Sequence, residues 1–332
     1  MAYSLHPDAN AILVRLKREG ITALYHFTSV ENLHGICQMQ ALCSKQTLEN
    51  ERRRLPLVTG GNPLSHSLDR SRGNWNKVSL NLTSHTPMVY HRKREQHLCF
   101  FVISPEVATW SGVVFTDANA ASNTHRREEG LAGLNNINFE AIRALPRPGD
   151  RDGWVRPVQA EVLVPDRIPL EHVSHIAFVS KASMSYAEHL CYPHLHPKFL
   201  VDSQLFADFS ISSKWTVDFS YVLEMILTDA KIEENVVNLS YVHMNKFSKD
   251  SDCATLIAKV RAMAGTLAKV LFQPANMPRI TREVIETTEF AISSQYYHWH
   301  SIPLEDLPYG VYIVEYHLDN ICRASTEFEV VQ

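Results

Sequence analysis

The stretch Gln159-Ala160-Glu161-Val162-Leu163-Val164, followed by Ile168-Pro169-Leu170, limits the fold more than any other. A near-continuous apolar run of this length, rich in branched side chains, reads as a strand buried on both faces of a sheet. A carboxylate inside such a sheet would be very costly unless paired, so Glu161 has to stand at the sheet's rim. It is there either as an ordinary solvated edge residue or as a working group, and the rest of the chain decides which.

A chain of 332 residues exceeds the size at which one core stops growing, so two domains are expected. The polar passage Ser203-Gln-Leu-Phe-Ala-Asp-Phe-Ser-Ile-Ser-Ser-Lys214 marks the boundary, giving residues 1–213 and 214–332. With 45% hydrophobic and 20% charged residues the chain reads as globular. No run approaches the ~20 apolar residues of a membrane span, and the N-terminus alternates charged with apolar residues, so a soluble, cytoplasmic protein is expected. Cys37, Cys43, Cys99, Cys191, Cys253 and Cys322 show no paired spacing and read as reduced thiols.

Charge is unevenly spread. Residues 1–214 hold 23 Lys+Arg against 20 Asp+Glu, whereas residues 215–332 hold 9 against 16. Residues 51–100 alone hold nine basic and three acidic side chains, among them Arg52-Arg53-Arg54, Arg70, Arg72, Lys77 and Arg92-Lys93-Arg94. Such a cluster is either a polyanion footprint or a solvated charged face.

Residues 7–20 space Ile12, Leu13 and Leu16 as a short amphipathic helix that Gly20 ends. Residues 21–27 read as a strand, after which Thr28 or Ser29 caps a helix through 32–36, with Glu31 closing a capping box if Thr28 is the cap. His26 then lies at a strand end beside a helix N-terminus, a place suited to a phosphate or a ligand amide. From 44 to 75 periodicity fails, and Gly60-Gly61-Asn62-Pro63 and Arg72-Gly73-Asn74 are turn chemistry, so the arginine cluster falls on a long loop or a short helix.

Strands are expected at 78–82, 98–103 and 173–179, with a further one ending at Phe115-Thr116-Asp117. Between them lies a polar passage, 118–158, with one helix at 139–144. A helix beginning near Ala182 ends before Cys191-Tyr-Pro-His194-Leu-His196, which lacks a second ligand pair and reads as a proline-bounded loop more readily than as a zinc site.

Beyond the boundary, residues 215–227, 236–243 and 284–292 alternate like strands, and 254–271 is apolar at helical spacing. His298 and His300 share one strand face without a third ligand. Pro308-Tyr309-Gly310, a strand over 311–316, a turn at Asp319-Asn320 and a closing strand over 324–331 resemble the end of an immunoglobulin-like sandwich.

Six short motifs follow one another along the chain: Tyr25-His26-Phe27-Thr28-Ser29-Val30-Glu31-Asn32-Leu33, Glu51-Arg52-Arg53, Thr86-Pro87-Met88-Val89-Tyr90, Phe115-Thr116-Asp117, Phe139-Glu140-Ala141-Ile142 and Gln159-Ala160-Glu161-Val162-Leu163-Val164. In order and approximate spacing they resemble the DarT family, whose members transfer ADP-ribose from NAD to bases in single-stranded DNA. The resemblance covers roughly residues 20–180. It implies an α+β fold: an ADP-ribosyltransferase-like split β-sheet core with helices, here followed by a mainly β C-terminal domain.

The resemblance also assigns roles. Glu161 is the carboxylate that faces developing positive charge on the ribose or takes the proton of the base. Arg53 corresponds to the active-site arginine, with Arg52 or Arg54 as alternatives because the triple-Arg run leaves the register open. His26, Phe27 and Thr28 are expected to line the nicotinamide end, and Gly35 and Cys43 to touch the dinucleotide. Substrate contacts are expected from Asn119, Asn123, Arg126 and Arg127 in the loop before Glu161, with Arg92 and Arg94 tracking phosphates.

Where thymine-modifying relatives carry an aromatic-rich strand, this chain has Val78-Ser79-Leu80-Asn81-Leu82-Thr83, which with Asp117-Ala118-Asn119-Ala120 leans toward guanine. RNA or a protein acceptor remains an alternative, as does an inactive binding module. NAD is the implied co-substrate, with no metal. Toxins of this kind need a restraining partner, so the acidic C-terminal half is expected to meet an antitoxin or a chaperone-like protein, pairing through the strand at 324–331.

Overall fold

The computed structural model of the chain describes residues 3–53, 63–122, 124–144, 151–191, 198–209, 215–230, 232, 241–277 and 283–332. It divides into two compact units that interleave along the sequence. The first comprises Met1–Lys93, Leu98–Ala177 and Leu190–Val217, and the second Arg94–His97, Phe178–His189 and Asp218–Gln332.

The first unit opens with α1 (Ala9–Arg18), whose apolar face buries Ile12 and Leu16. Then come β1 (Leu24–Ser29), α2 (Leu33–Met39), β2 (Ala41–Cys43), α3 (Lys45–Asn50), α4 (Pro63–Ser71), β3 (Lys77–Asn81), α5 (Pro87–Glu95) and β4 (Leu98–Ile103). They are followed by β5 (Val114–Thr116), β6 (Arg127–Glu129), α6 (Gly130–Asn135), α7 (Phe139–Arg143), α8 (Arg151–Val155), β7 (Glu161–Pro165), β8 (Arg167–Pro169), β9 (Val173–Phe178) and β10 (Phe199–Val201), whereas α9 (Lys181–Leu190), between the last two in sequence, belongs to the second unit up to His189. Among its described residues the passage expected to hold one helix therefore carries three, α6 to α8, each too short to show a helical period.

Eight strands form one sheet in the order β10-β9-β4-β1-β3-β7-β5-β6, antiparallel at each pairing from β9 to β6. Its pairing is uneven, and that unevenness positions the site. β1 runs against β4 from Leu24↔Ile103 to Ser29↔Leu98, and β3 against β7 from Lys77↔Pro165 to Asn81↔Glu161. Between β1 and β3 only Tyr25↔Asn81 is in register, so the sheet is split at that seam. Val162, Leu163 and Val164 are at most 1% exposed, whereas Glu161, the first residue of β7, is half-buried at the rim.

Local chemistry departs from expectation at one helix start. Ser29 precedes the helical turn, but its Oγ donates to the Glu31 carboxylate and Asn32 Nδ2 donates to Thr28 Oγ1 at 2.9 Å, so no capping box forms. Ser44 is a true cap, accepting from the Thr47 N–H at 3.1 Å. Cys37 on α2 and Cys191, expected as thiols, are joined as a disulfide within the first unit. They stand 154 positions apart, so no sequence spacing announces the pair.

In the second unit, β13 (Tyr221–Thr228), β15 (Cys253–Ala262) and β18 (Ser294–Pro303) make one sheet. β14 (Lys246–Ser248), β20 (Ile321–Val331), β19 (Gly310–Leu318), β16 (Leu267–Pro274) and β17 (Glu283–Glu289) make another. A short pair, β11 (Asp208–Phe209) with β12 (Trp215–Thr216), belongs to the first unit. Residues of both larger sheets, among them Val222, Leu256, Val260, Val270, Val314, Tyr316 and Phe328, share one buried core, so the unit is a β-sandwich.

The helix expected over 254–271 is two strands. Ala254, Leu256, Ala258, Val260 and Ala262 alternate inward along β15, and the chain reverses through Gly265 at φ +80° before β16. The strand expected over 236–243 lies largely outside the described residues. β20 is not the free edge expected: β19 flanks it on one side and β14 pairs with its end, Lys246↔Glu329 to Ser248↔Val331. Among the described residues no helix is long and apolar enough to cross a membrane.

Candidate active site

The site grows out of the seam. β1 alternates, so His26 and Thr28 face one side and Phe27 the other. A cavity of about 460 Å³ opens on the His26 side, within the usual range for small-molecule sites. His26, Thr28, Gly35, Cys43, Arg52 and Arg53 all line it. Phe27 does not. Its ring lies 6.3 Å from that of Phe100, so the expectation that all three residues of the motif line the pocket is corrected by strand periodicity. Gly35 faces open space, where a side chain would take up cavity volume.

The arginines reach the cavity through a reversal at the end of α3. Arg52 takes the left-handed conformation, φ +53°, and the Arg53 N–H returns to Leu48 O at 2.8 Å. Arg52 and Arg53 thus both stand on the cavity wall, and Arg54 lies outside the described residues.

A hydrogen-bond chain runs from the cavity to Glu161. His26 Nδ1 bonds Ser79 O at 3.0 Å; a carbonyl only accepts, so Nδ1 carries the proton and Nε2 is the acceptor of a neutral ring. Burial lowers the His26 pKa further, against the bond to Ser79, and so keeps the ring neutral. Ser79 Oγ donates to Glu161 Oε1 at 2.7 Å, and the Ala120 N–H donates to Oε2 at 2.6 Å. Each carboxylate oxygen is thereby held and retains a lone pair for a further partner. Burial raises the Glu161 pKa to about 7 against the opposing bonds from Ser79 and Ala120, with Asp69 adding to the rise. The sequence reading missed Ser79 and Ala120. The Val78-Ser79-Leu80 alternation, which puts Ser79 on the polar side of β3, is the signal that marks Ser79.

Cys43 belongs to the cavity wall rather than to covalent chemistry, because burial pushes its thiol up and disfavours the thiolate. Asn119 Oδ1 is taken by the Ala121 N–H at 2.9 Å. Arg126 and Arg127 are both exposed, and Arg127 donates to Arg72 O at 2.6 Å and to Asn74 Oδ1 at 3.2 Å. Asn123 lies outside the described residues.

Much of the basic cluster is engaged within the fold. Arg70 stacks 3.7 Å from the Trp75 ring and pairs with Glu49, Lys77 donates to Gly112 O at 2.7 Å, and Lys93, 1% exposed, is held by Phe206 O and the Asp208 carboxylate. Arg92 is half-buried on α5. Arg94 falls in the second unit, where its guanidinium pairs with Asp218. The polyanion footprint expected from charge counting is correspondingly narrower, since counting does not see internal pairing.

His298 and His300 do find a common partner, but it is a carboxylate: Glu286 meets His298 Nε2 at 2.7 Å and His300 Nδ1 at 2.9 Å. Among the described residues, Glu315, His317 and Cys322 also bring potential ligand atoms within 4.8 Å of one another, and Glu315 already engages His317 at 2.8 Å.

The cavity thus carries two arginines on its wall, and Glu161, which does not itself line it, is linked to it through Ser79 and His26. Residues 25–206 match the family model described as "ssDNA thymidine ADP-ribosyltransferase, DarT", which is more than half of the chain. The chain belongs to the DarT family.

Among solved structures, Thermus sp. 2.9 DarT in complex with ADP-ribosylated ssDNA is 20% identical, with 56% of this chain and 96% of that chain covered and a TM-score of 0.45. The same protein in complex with NAD+ gives 19%, 56%, 97% and 0.44. Thermosipho africanus DarTG in complex with ADP-ribose gives 19%, 56%, 51% and 0.46. No curated protein matches the chain.

Proposed function

We propose that the chain transfers ADP-ribose from NAD to a base of single-stranded DNA, guanine in preference to thymine, with Glu161 and Arg53 as the catalytic residues. The observation that carries the reading is the continuity from cavity to rim: His26 to Ser79 to Glu161, with Arg53 on the cavity wall. NAD supplies an ADP-ribosyl group whose ribose gains positive charge as its bond to nicotinamide breaks. Donors and open space on the cavity wall suit a dinucleotide, with neutral His26 and the Thr28 hydroxyl at one end and Gly35 and Cys43 further along α2 and β2. Phe27 supports this wall from behind.

Glu161, its two oxygens fixed by Ser79 and Ala120, presents negative charge where the ribose becomes positive, and then accepts the proton that the attacking base nitrogen releases. Arg53 holds a permanent positive charge suited to a phosphate or a base carbonyl. Arg53→Ala is expected to lower turnover about tenfold while leaving oligonucleotide affinity within about threefold, since a charge-assisted bond contributes roughly 1.5–3 kcal/mol. Separate binding and single-turnover assays read the two effects.

Exposed Arg126, together with Asn119, Asn123 and Arg92, gives the acceptor strand its contacts. The guanine reading rests on the residues of β3 and of the loop after β5, whereas the family description names thymidine. Labelled NAD offered to oligonucleotides that each lack one base discriminates between them. Loss of label with the guanine-free strand is expected, and loss with the thymine-free strand instead contradicts it.

The C-terminal stretch 215–332, with 9 basic against 16 acidic side chains, is unsuited to a phosphate backbone and suited to a protein partner such as an antitoxin or chaperone in a toxin–antitoxin or phage-defence setting.

A further inference from the structure

The bond from Ala120 to Glu161 depends on where the loop after β5 sits, and that loop meets the catalytic carboxylate through a residue with almost no side chain. Ala120 is 5% exposed and packs with Val114 and Leu163 in a small cluster. Its position is fixed from the other side. Asn74 Nδ2 donates to Ala120 O at 3.3 Å, and Arg72 Nη1 donates to Ala120 O at 3.4 Å and also to Ser122 O. Arg127 completes the arrangement, since its donation to Asn74 Oδ1 leaves the Asn74 amide nitrogen directed at the loop. The turn that delivers Arg72 and Asn74 is itself stiff: Gly73 stands at φ +70°, and the Asn74 N–H closes onto Asp69 O at 2.8 Å.

We infer that Arg72, Asn74 and Arg127 are positioning residues that latch the loop segment 117–122 against Glu161, and that this latch decides how often ADP-ribose passes to a nucleic-acid base rather than to water. The inference rests on the proposed function. In both outcomes the bond from the ribose C1′ to nicotinamide breaks and its electron pair leaves with nicotinamide. In transfer a base nitrogen forms the new bond and gives its proton to Glu161; in hydrolysis a water oxygen forms it and gives its proton to Glu161 or to the surrounding water. Neither outcome needs a further reactant. A fixed loop holds the base in line and excludes water from the ribose, whereas a loosened loop still leaves the charge of Glu161 in place for bond breaking.

Asn74→Ala, Asn74→Asp and Arg72→Met are compared with Arg72→Lys in the full-length protein, with transfer to a single-stranded oligonucleotide and hydrolysis of NAD measured side by side. The first three are expected to lose about tenfold in transfer, the effect of roughly 1.4 kcal/mol, while hydrolysis and NAD affinity stay within about threefold. Arg72→Lys, which keeps a donor for the carbonyls, is expected to recover most of the transfer. Asn74→Asp changes no volume, so it tests the latch even if the larger substitutions fail to fold. Transfer and hydrolysis falling together, or neither changing, overturns the latch while leaving the proposed function standing. A wild type that labels no oligonucleotide overturns the proposed function and this inference with it.

Discussion

Glu161→Gln is expected to lower ADP-ribose transfer at least about a hundredfold, and more nearly a thousandfold, with the fold intact. The substitution preserves shape at the start of β7, where Asn81 and Thr116 flank the residue on the neighbouring strands. A glutamine oxygen can still accept one of the two bonds that Ser79 and Ala120 now make. It cannot supply charge. Losing about 3–5 kcal/mol of transition-state stabilisation corresponds to that range of rates. Single-turnover transfer, with circular dichroism as the fold control, measures it; a variant retaining a tenth of wild-type activity would remove Glu161 from the mechanism.

The second large effect is on pH dependence. Burial lifts the Glu161 pKa from 4.5 to about 7, so the working carboxylate is lost just below neutrality. Transfer under saturating NAD is expected to fall about tenfold per pH unit below about 7, to roughly a hundredth of its plateau at pH 5. The same shift carries a stability consequence of defined sign. The unfolded chain ionises this group near its ordinary value and the folded chain only near 7. Raising the pH through that window therefore favours unfolding, and the cost is complete above about 7. Glu161→Gln removes the cost, so near pH 8 it should gain on the order of 1–3 kcal/mol over the wild type, and the difference should vanish below about pH 4. A rate that stays flat between pH 5 and 8, or a Glu161→Gln protein less stable than wild type at pH 8, contradicts this account of the site.

The residues proposed to bear the chemistry are legible where they sit in short, ordered motifs. The apolar run after Glu161 required a buried strand with the carboxylate at its rim, and β7 has that form. The motif around His26 placed it on a strand leading into a helix, and alternation along that strand would have turned Phe27 away had it been applied to the pocket. Less was legible where one pattern serves two structures. In residues 254–271 the alanines at 254, 258 and 262 fit a helical period, yet with Leu256 and Val260 they also form a strict alternation, and Gly265 at φ +80° decides for a hairpin.

Pairing across the chain was not legible at all. The arginines counted as a nucleic-acid footprint are partly spent on Trp75, Glu49 and loop carbonyls, and the Cys37–Cys191 bond joins residues 154 apart. Ser79 and Ala120 escaped notice for a related reason. What they contribute is a hydroxyl and a backbone N–H at one point in space, and neither residue type announces that in sequence.

The most direct test is to incubate the purified protein with NAD labelled in its ADP-ribose portion, offering single-stranded DNA, RNA and a protein pool separately, with Glu161→Gln as the blank. Label on single-stranded DNA that disappears with the substitution is the predicted result. Label on protein or RNA alone, or label that persists in Glu161→Gln, contradicts it.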